Sequence, residues 1–400
     1  MSVRKRKWTT AKGEPREAWI VDYVDQQGDR HIETFPRKKD ADARHAEVYV
    51  NVGAGTHVAP SKSVTVKEAG ESWIRAAEAD GLERATVDQY RQHLNLHIAP
   101  FIGRLKLSDL NPQAVRNFEG RLQAEGRSPA MVRKVITSLG SLVADARELG
   151  LTGHNAVRDL RRNRGRGKDK SKKRQKRKLK VGVDIPTPED ISAILRHASK
   201  WRALLIVGAF TGLRASELRG LRWEDLEARE IHVRQRADRY YEIGPPKSET
   251  SERVVPFGKF VANTLKEWKL ACPKSELGLV FPTGKGNVAD LANIIRDGLK
   301  PAQIAAGVTV PVLDEKGKPK LDKDGKSVVG AKYTGMHALR HFYASWCINR
   351  TKDGGLGLPP KNVQERLGHS SITITLDIYG HLFKGDDAEE LDAAEERLMA

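Results

Sequence analysis

A dense basic stretch constrains the architecture of this chain more than any other feature. Residues Arg161–Lys180 contain 13 lysines or arginines and one acid, Asp169. Like charges at this density repel one another and cannot condense into a core, so residues 161–185 are expected to form an extended linker. A chain of 400 residues has room for two or three domains, and the linker predicts folded regions on both sides of it.

The charge of the whole chain favours a polyanionic partner. The formal net charge is +18, which makes nucleic acid the leading candidate and an anionic membrane surface the second. The longest apolar run near the middle, Ala203–Phe210, is far too short to cross a bilayer, so no transmembrane span is predicted. The only cysteines, Cys272 and Cys347, indicate a reducing compartment without a disulfide framework or a metal-ligand spacing.

Residues 1–60 predict a small α+β module. Two strand candidates, Glu17–Asp25 and Arg30–Phe35, flank a turn, and Lys38–Asn51 has the pattern of a helix. The expected small core consists of Trp19, Tyr23 and Phe35. The many basic residues of this module are compatible both with nucleic-acid contact and with a solvated basic face, and the sequence leaves the two alternatives open.

Residues 63–160 predict an all-helical domain of four or five helices. Thr65 and Glu68 have the spacing of a capping box, and a second helical run covers Arg84–Ile98. The pairs Asn111-Pro112 and Ser128-Pro129 are typical of helix starts, because each joins an N-cap residue to a proline in the first turn. Basic residues on these helices could follow the phosphates of a nucleic acid.

Residues 186–383 predict a mixed α/β domain. Thr187 and Pro188 open it with a strong helix start. Helices are expected near 188–199, 201–211, 215–221, 259–270, 288–306, 335–350, 360–367 and 371–380. Strands are expected at Glu230–Gln235, Tyr240–Ile243 and Arg253–Phe257, and 312–332 is expected to be an exposed hairpin or loop. Residues 384–400 predict an acidic tail helix that could dock on its own or a neighbouring subunit.

The stretch Leu367–His381 contains the residues with the clearest chemistry, His369 and Tyr379. A tyrosine hydroxyl is a poor nucleophile at neutral pH because its reference pKa is about 10. It becomes useful where cations stabilise the phenolate or the group that it attacks. Candidate cations occur earlier in the chain, namely Arg214, Lys247, His337 and Arg340.

These residue types suit a site that attacks a phosphodiester. A planar guanidinium donates two parallel hydrogen bonds to phosphate oxygens and stays charged. His337 and Arg340 are three positions apart and can share one helix face, and Glu217 can orient Arg214 in the same way. Lys247 lies in a predicted turn from which it could reach a leaving oxygen, with Lys259 and Lys332 as alternatives. Tyrosines 240, 241, 333 and 343 are expected to be structural.

Four motifs in this order, TGLRASEL, the turn lysine Lys247, HALRH and LGHSSITITLDIYGH, resemble the tyrosine recombinase family of the phage-integrase type. The resemblance covers roughly residues 186–383. It implies a multidomain protein, mainly α with small β-sheets, whose catalytic domain follows an arm-type module at 1–60 and a core-type DNA-binding domain at 63–160. Tyr379 would attack the scissile phosphate and form a 3′-phosphotyrosyl link. Arg214 and Arg340 would clamp its oxygens, His369 would hydrogen-bond it, Lys247 would act as general acid and His337 would assist proton transfer.

The same resemblance implies the partners. Double-stranded DNA with attachment sites would be the substrate, and a homotetramer on DNA the working assembly, with a host DNA-bending or excision factor as a further candidate partner and no membrane. The family needs neither ATP nor a divalent metal, so no cofactor is expected, and the expected location is the bacterial cytoplasm near the nucleoid. A type IB topoisomerase with the same tyrosine chemistry and a non-catalytic DNA-binding regulator are the alternatives.

Overall fold

The computed structural model describes residues 1–10, 14–55, 57–60, 62–165, 178–246, 249–314, 317–383 and 387–400. The chain divides into two compact units, Met1–Lys173 and Arg174–Ala400. Most of the basic stretch that predicts a linker, residues 166–177, lies outside the described residues. Each unit has its own hydrophobic core.

The first unit begins with a three-stranded antiparallel sheet. Its strands, in spatial order, are β1 (Ser2–Thr9), β2 (Pro15–Val24) and β3 (Arg30–Phe35), and helix α1 (Lys38–Gly53) packs against it. The predicted strands and helix are confirmed, and Tyr23 is buried in the core while Trp19 and Phe35 are half-buried. Strand β1 is absent from the prediction because its run of basic residues has no buried face. Charged side chains on an edge strand also discourage pairing with other chains.

The second part of the first unit is helical. Its helices are α2 (Val66–Ala79), α3 (Arg84–His93), α4 (Ala99–Ile102), α5 (Pro112–Ala124), α6 (Pro129–Glu148) and α7 (Ala156–Gly165). The side chains of Thr65, Asn111 and Ser128 each accept a hydrogen bond from a backbone N–H in the first helical turn, which confirms the predicted helix starts. Helix α7 continues into the segment that predicts a linker, whose first five residues are therefore helical.

The second unit is organised around one apolar helix. Helix α9 (Arg202–Thr211) is flanked by α8 (Pro188–His197) and α10 (Ala215–Gly220). Residues Leu205, Ile206 and Val207 of α9 are completely buried. A helix that is apolar on all sides needs partners all around it. Here the partners include α8, α11 (Lys259–Ala271) and α14 (His337–Ile348).

Short β-strands form small antiparallel sheets in this unit. Strands β4 (Leu226–Glu227), β5 (Glu230–Val233) and β8 (Arg253–Pro256) form an antiparallel sheet, and β6 (Arg236–Ala237) pairs with β7 (Ile243–Gly244). The predicted strand Tyr240–Ile243 is mostly wrong, because Tyr240 and Tyr241 lie in a turn and Tyr241 has a φ of 68°. Beyond α12 (Leu291–Ile294) and α13 (Lys300–Ala305), strands β9 (Thr309–Pro311) and β10 (Val329–Ala331) close the predicted hairpin.

The C-terminal helices form a second core against α14. They are α15 (Pro360–Leu367) and α16 (Ile372–Tyr379), as predicted, followed by the tail helix α17 (Asp387–Met399). This core contains Tyr343, Cys347, Val363, Leu367 and Tyr379. Within the described ranges, no helix combines the length and the apolar character that crossing a membrane requires.

Candidate active site

Three arginines converge on the C-terminal end of α15. Three successive backbone carbonyls accept one hydrogen bond each, and the donor–acceptor pairs are Arg253 with Arg366, Arg340 with Leu367 and Arg214 with Gly368. The Arg253 and Arg214 bonds are both 2.8 Å long. A helix C-terminus carries partial negative charge on its free carbonyls, which favours cations at this position. The end of α15 therefore holds three guanidinium groups in one place.

Two glycines present the backbone to these arginines. Gly212 ends α9 with a φ of 62°, and its carbonyl accepts a 2.7 Å hydrogen bond from Arg340. A Cβ atom at Gly212 would lie 2.3 Å from the ring of Tyr343. Gly368 ends α15 with a φ of 60°, and a Cβ there would lie 3.0 Å from the Arg253 side chain. Both positions combine a left-handed backbone with a close neighbour, so only glycine fits without strain.

One buried carboxylate balances the arginine cluster. Glu217 in α10 is bound by Arg253 at 2.9 and 3.1 Å and by Arg214 at 2.7 Å, and its side chain is 3% exposed. Although burial opposes ionisation, the hydrogen bonds and charge of Arg253, together with Arg214, lower the pKa of Glu217 to about 2. The backbone N–H of Arg214 also donates to the Glu217 carboxylate, so Glu217 both caps α10 and orients the Arg214 side chain. Arg214 keeps a side-chain exposure of 34%, whereas Arg340 is 2% exposed.

Tyr379 lies at the end of α16 with its ring buried. The hydroxyl forms a 2.7 Å hydrogen bond with Nδ1 of His341 in α14. Burial raises the pKa of Tyr379 to about 12, against the opposite effect of the nearby Arg340. The phenol is therefore neutral at physiological pH, and any attack by its oxygen requires that the proton be removed.

Three histidines surround the tyrosine and the arginines. The His337 ring lies edge-on to His341 with 4.5 Å between the centroids, and the His369 ring lies parallel to Tyr379 at 6.4 Å. Nδ1 of His369 is 2.9 Å from the Thr375 hydroxyl. Burial and the neighbouring arginines lower the pKa of His337 and bring that of His369 to about 3. Both imidazoles are therefore uncharged at neutral pH. Each then has one ring nitrogen that donates a hydrogen bond and one that accepts.

The structure brings five of the six sequence-predicted site residues into this region, namely Arg214, His337, Arg340, His369 and Tyr379. Lys247 lies outside the described residues, so its prediction stays untested. The alternative Lys332 is bound to Asp190 at 3.1 Å. The other tyrosines have different surroundings: Tyr333 donates to Asp190 and Tyr241 to Asp290, Tyr343 is packed in the core, and Tyr240 lies in a turn.

Sequence reasoning missed two residues of the site. Arg253 is a lone arginine at the start of a strand, and its partners Glu217 and Arg366 are 36 and 113 positions away, so no local pattern reveals it. His341 was detectable, because it follows His337 by four positions and therefore shares its helix face. Among the described side chains, no three His, Cys, Asp or Glu residues come together as a candidate metal-binding set.

Two family models match this chain. Residues 65–122 match the phage integrase N-terminal SAM-like domain, and residues 187–385 match the phage integrase family. The chain belongs to the phage integrase family of tyrosine recombinases. Membership makes it a tyrosine-type site-specific DNA recombinase, and all five described site residues lie inside the second matched range.

Related proteins support this assignment along most of the chain. A tyrosine recombinase XerC-like protein of Caldanaerobacter subterraneus is 25% identical over 375 residues, which cover 86% of this integrase-family chain and 86% of the relative. The Tn1549 transposon integrase in complex with a circular intermediate DNA has a similar fold, with 18% identity and a TM-score of 0.60. That match covers 84% of this chain and 100% of the other. A lambda integrase tetramer bound to a Holliday junction matches with 15% identity and a TM-score of 0.53, covering 92% and 96%.

Proposed function

We propose that this recombinase cuts and rejoins DNA attachment sites through a 3′-phosphotyrosyl intermediate on Tyr379, and thereby integrates and excises a phage or mobile element. The observation that carries the proposal is the convergence of one tyrosine hydroxyl and several arginines at the end of α15 and α16. A phosphodiester offers guanidinium donors two non-bridging oxygens that share one negative charge, and its phosphorus is the atom that a phenol oxygen can attack.

The arginine cluster is the proposed phosphate site. Arg214 reaches solvent and presents its guanidinium to the non-bridging oxygens, while Arg340 supplies positive charge from the buried side. Both are fixed by backbone carbonyls before DNA arrives, so little reorganisation is needed as charge develops in the transition state. Donors of this kind typically contribute about 10²- to 10³-fold to a rate.

The remaining predicted residues are proposed to handle protons and hydrogen bonds. With Nδ1 of His369 accepting from the Thr375 hydroxyl, Nε2 carries the hydrogen and can donate it to a phosphate oxygen. His337, at the first position of α14, packs on one side against His341 and reaches solvent on the other, and it assists proton transfer. Lys247 is proposed as the general acid that protonates the departing 5′-oxygen. The phosphotyrosyl link conserves the bond energy, so the reaction needs neither ATP nor a divalent metal.

The other regions are proposed to select and assemble the DNA. Residues 1–60 bind arm-type sites, residues 63–160 bind core-type sites, residues 161–185 connect them to the catalytic domain at 186–383, and the tail at 384–400 docks on a neighbouring subunit. The assembly that we propose is a homotetramer on two duplexes in the bacterial cytoplasm, as in the lambda integrase tetramer, with a host DNA-bending or excision factor as a further partner.

Deletion of 1–60 should spare cleavage of core sites and impair integration. Full integration by the shortened chain would contradict the arm-binding role.

A covalent-adduct assay tests the nucleophile. Labelled, nicked duplexes that cover the ends of the encoding element trap the cleaved strand on the protein, and the adduct is resolved on a denaturing gel. Tyr379→Phe should bind the duplex as the wild type does and form no adduct. Tyr241→Phe is the matched control, because it removes a hydroxyl that contacts Asp290 in the same unit, and it should retain adduct formation.

An adduct that persists in Tyr379→Phe would contradict the assignment of the nucleophile. A wild-type chain that binds these duplexes but never forms an adduct would favour a non-catalytic regulator. Relaxation of supercoiled plasmid by a monomer, without recombination between sites, would favour a topoisomerase.

A further inference from the structure

The hydroxyl of Tyr379 has a specific partner that the proposed mechanism leaves unused. His341 Nδ1 lies 2.7 Å from this oxygen, and the two ring planes are inclined by 65° with 5.8 Å between their centroids. A neutral phenol can donate and a neutral imidazole has one unprotonated nitrogen, so the pairing used here has the hydroxyl donating and Nδ1 accepting. His341 therefore carries its own hydrogen on Nε2 and has a lone pair directed at the proton that the nucleophile must lose.

The position of His341 is fixed from several sides. It lies one residue after Arg340, which two backbone carbonyls hold, and its ring contacts His337 one turn earlier on α14. It is half-buried, and Tyr379 is 1% exposed, so water has little access to their hydrogen bond. A group in contact with the reacting oxygen in this geometry satisfies the distance that a general base requires.

We propose that His341 is a catalytic residue that accepts the proton of Tyr379 during strand cleavage, an inference that rests on the function proposed above. As the Tyr379 oxygen forms its bond to phosphorus, its O–H bond breaks and the proton moves to Nδ1 of His341. The bond between phosphorus and the 5′-oxygen breaks, and that oxygen takes a proton from the general acid. In rejoining, the 5′-hydroxyl attacks the phosphotyrosine, its proton returns to the acid, and His341 returns its proton to Tyr379.

The charges around His341 link its proton affinity to the binding of DNA. Burial and the neighbouring His337 and Arg340 lower the pKa of His341 to about 4, and Asp184 opposes them. The imidazole is therefore neutral and ready to accept a proton, but the imidazolium is disfavoured. A phosphodiester among the arginines supplies negative charge that offsets their repulsion, and so raises the proton affinity of His341 at the moment of attack.

Two substitutions at His341 separate proton transfer from positioning. His341→Ala removes the partner of Tyr379, whereas His341→Asn keeps an acceptor oxygen near the place of Nδ1 that cannot serve as a base near pH 7. We expect adduct formation on nicked duplexes to fall by about 10²- to 10⁴-fold in both variants, which is the usual contribution of general acid–base catalysis. The matched control is His197→Ala, because His197 is exposed at the end of α8 and bonds only to a carbonyl of its own helix among the described contacts.

A second substrate distinguishes the base from the acid. A duplex with a bridging sulfur at the scissile 5′-position releases a thiolate, which leaves without a proton because thiol pKa values are about 8.5. The defect of both His341 variants should persist on this duplex, whereas a Lys247→Ala defect should be relieved. The rate of His341→Asn should also keep rising with pH where the wild-type rate has reached a plateau.

Three results would overturn the proposal. A wild-type rate in His341→Asn would show that His341 only positions Tyr379. A faster rate in His341→Ala would show that the hydrogen bond restrains Tyr379 in the resting state. Rescue of either variant by the sulfur duplex would show that the defect concerns protonation of the leaving group. Should His341→Ala fail to fold, the Asn variant carries the test alone. Loss of the adduct in Tyr379→Phe together with unchanged His341 variants would refute this inference and leave the proposed function intact.

Discussion

The two halves of the candidate site are held in different ways. On the arginine side, Arg214, Arg253 and Arg340 bind three successive carbonyls at the end of α15, and Glu217 links two of them. On the tyrosine side, Tyr379 is the last residue of the eight-residue helix α16, and the described partner of its hydroxyl is His341. The half that is proposed to bind phosphate is thus fixed by interactions that also hold the fold, whereas Tyr379, the proposed nucleophile, is held by a contact that can be exchanged. Substitutions in the first half should lower both stability and activity, and substitutions in the second half mainly activity.

Glu217→Gln should have the largest effect. It removes the negative charge between Arg214 and Arg253, and loss of one partner from a buried ion pair costs about 3–5 kcal/mol. Urea unfolding should show this loss, and adduct formation should be abolished. Glu224→Gln, at an acid with 69% side-chain exposure, should change stability by less than about 0.5 kcal/mol. Equal stability of the two variants would contradict the structural role of the arginine side.

Arg214→Lys should separate charge from geometry. Lysine keeps the positive charge but loses the planar fork that binds two oxygens, so adduct formation should fall by about 10²- to 10³-fold. Binding of uncleaved duplex, measured by gel shift, should change little, because the charge remains. Arg222→Lys, at another arginine that pairs with a nearby acid, is the control and should cleave normally. A fully active Arg214→Lys would show that a point charge suffices.

Acid should weaken the arginine side selectively. The pKa of Glu217 is lowered from 4.5 to about 2 in the folded state, so its contribution to stability is complete above about pH 4.5 and is lost as the pH falls toward 2. The shift corresponds to about 3 kcal/mol. The difference in unfolding free energy between the wild type and Glu217→Gln should therefore shrink between pH 5 and pH 3. A constant difference over this range would rule out the ionised carboxylate as its source.

Thr375→Val should have the smallest effect of these changes. It removes the hydroxyl that holds Nδ1 of His369 while preserving the shape of a fully buried side chain. The lost hydrogen bond is worth about 1 kcal/mol, which corresponds to a decrease in adduct formation of roughly five- to tenfold. Thr373→Val, on the exposed side of the same helix, should be neutral. An unchanged rate in Thr375→Val would show that His369 does not need this partner.

Local signals predicted much of the fold. N-cap residues such as Thr65 and Thr187 marked helix starts correctly, because a cap is satisfied within one turn of backbone. The π-helical turns at Leu94–Ile98 and Ile295–Leu299 were not predictable, since they depend on packing rather than on a sequence pattern. The turn at Tyr241 was missed for a related reason, because aromatic residues favour strands and its positive φ has no glycine to indicate it.

Site residues were predictable where their type and their spacing in the sequence indicate a chemical role. Arg214, His337, Arg340, His369 and Tyr379 occur in motifs whose order indicated one site. Arg253 was not predictable, because its role arises from two contacts between distant parts of the chain. His341 lay within a recognised motif, but only the coordinates show that its ring, rather than that of His337, contacts the Tyr379 hydroxyl.

The most direct test of this account is to locate the covalent bond between the protein and its DNA. The wild-type adduct, trapped on a nicked attachment-site duplex, is digested with protease and nuclease, and the nucleotide-bearing peptide is sequenced by mass spectrometry. A single modified peptide is expected, with the nucleotide on the phenol oxygen of Tyr379, joined through a 3′-phosphate. A nucleotide on any other residue, or a 5′-phosphate linkage, would contradict it.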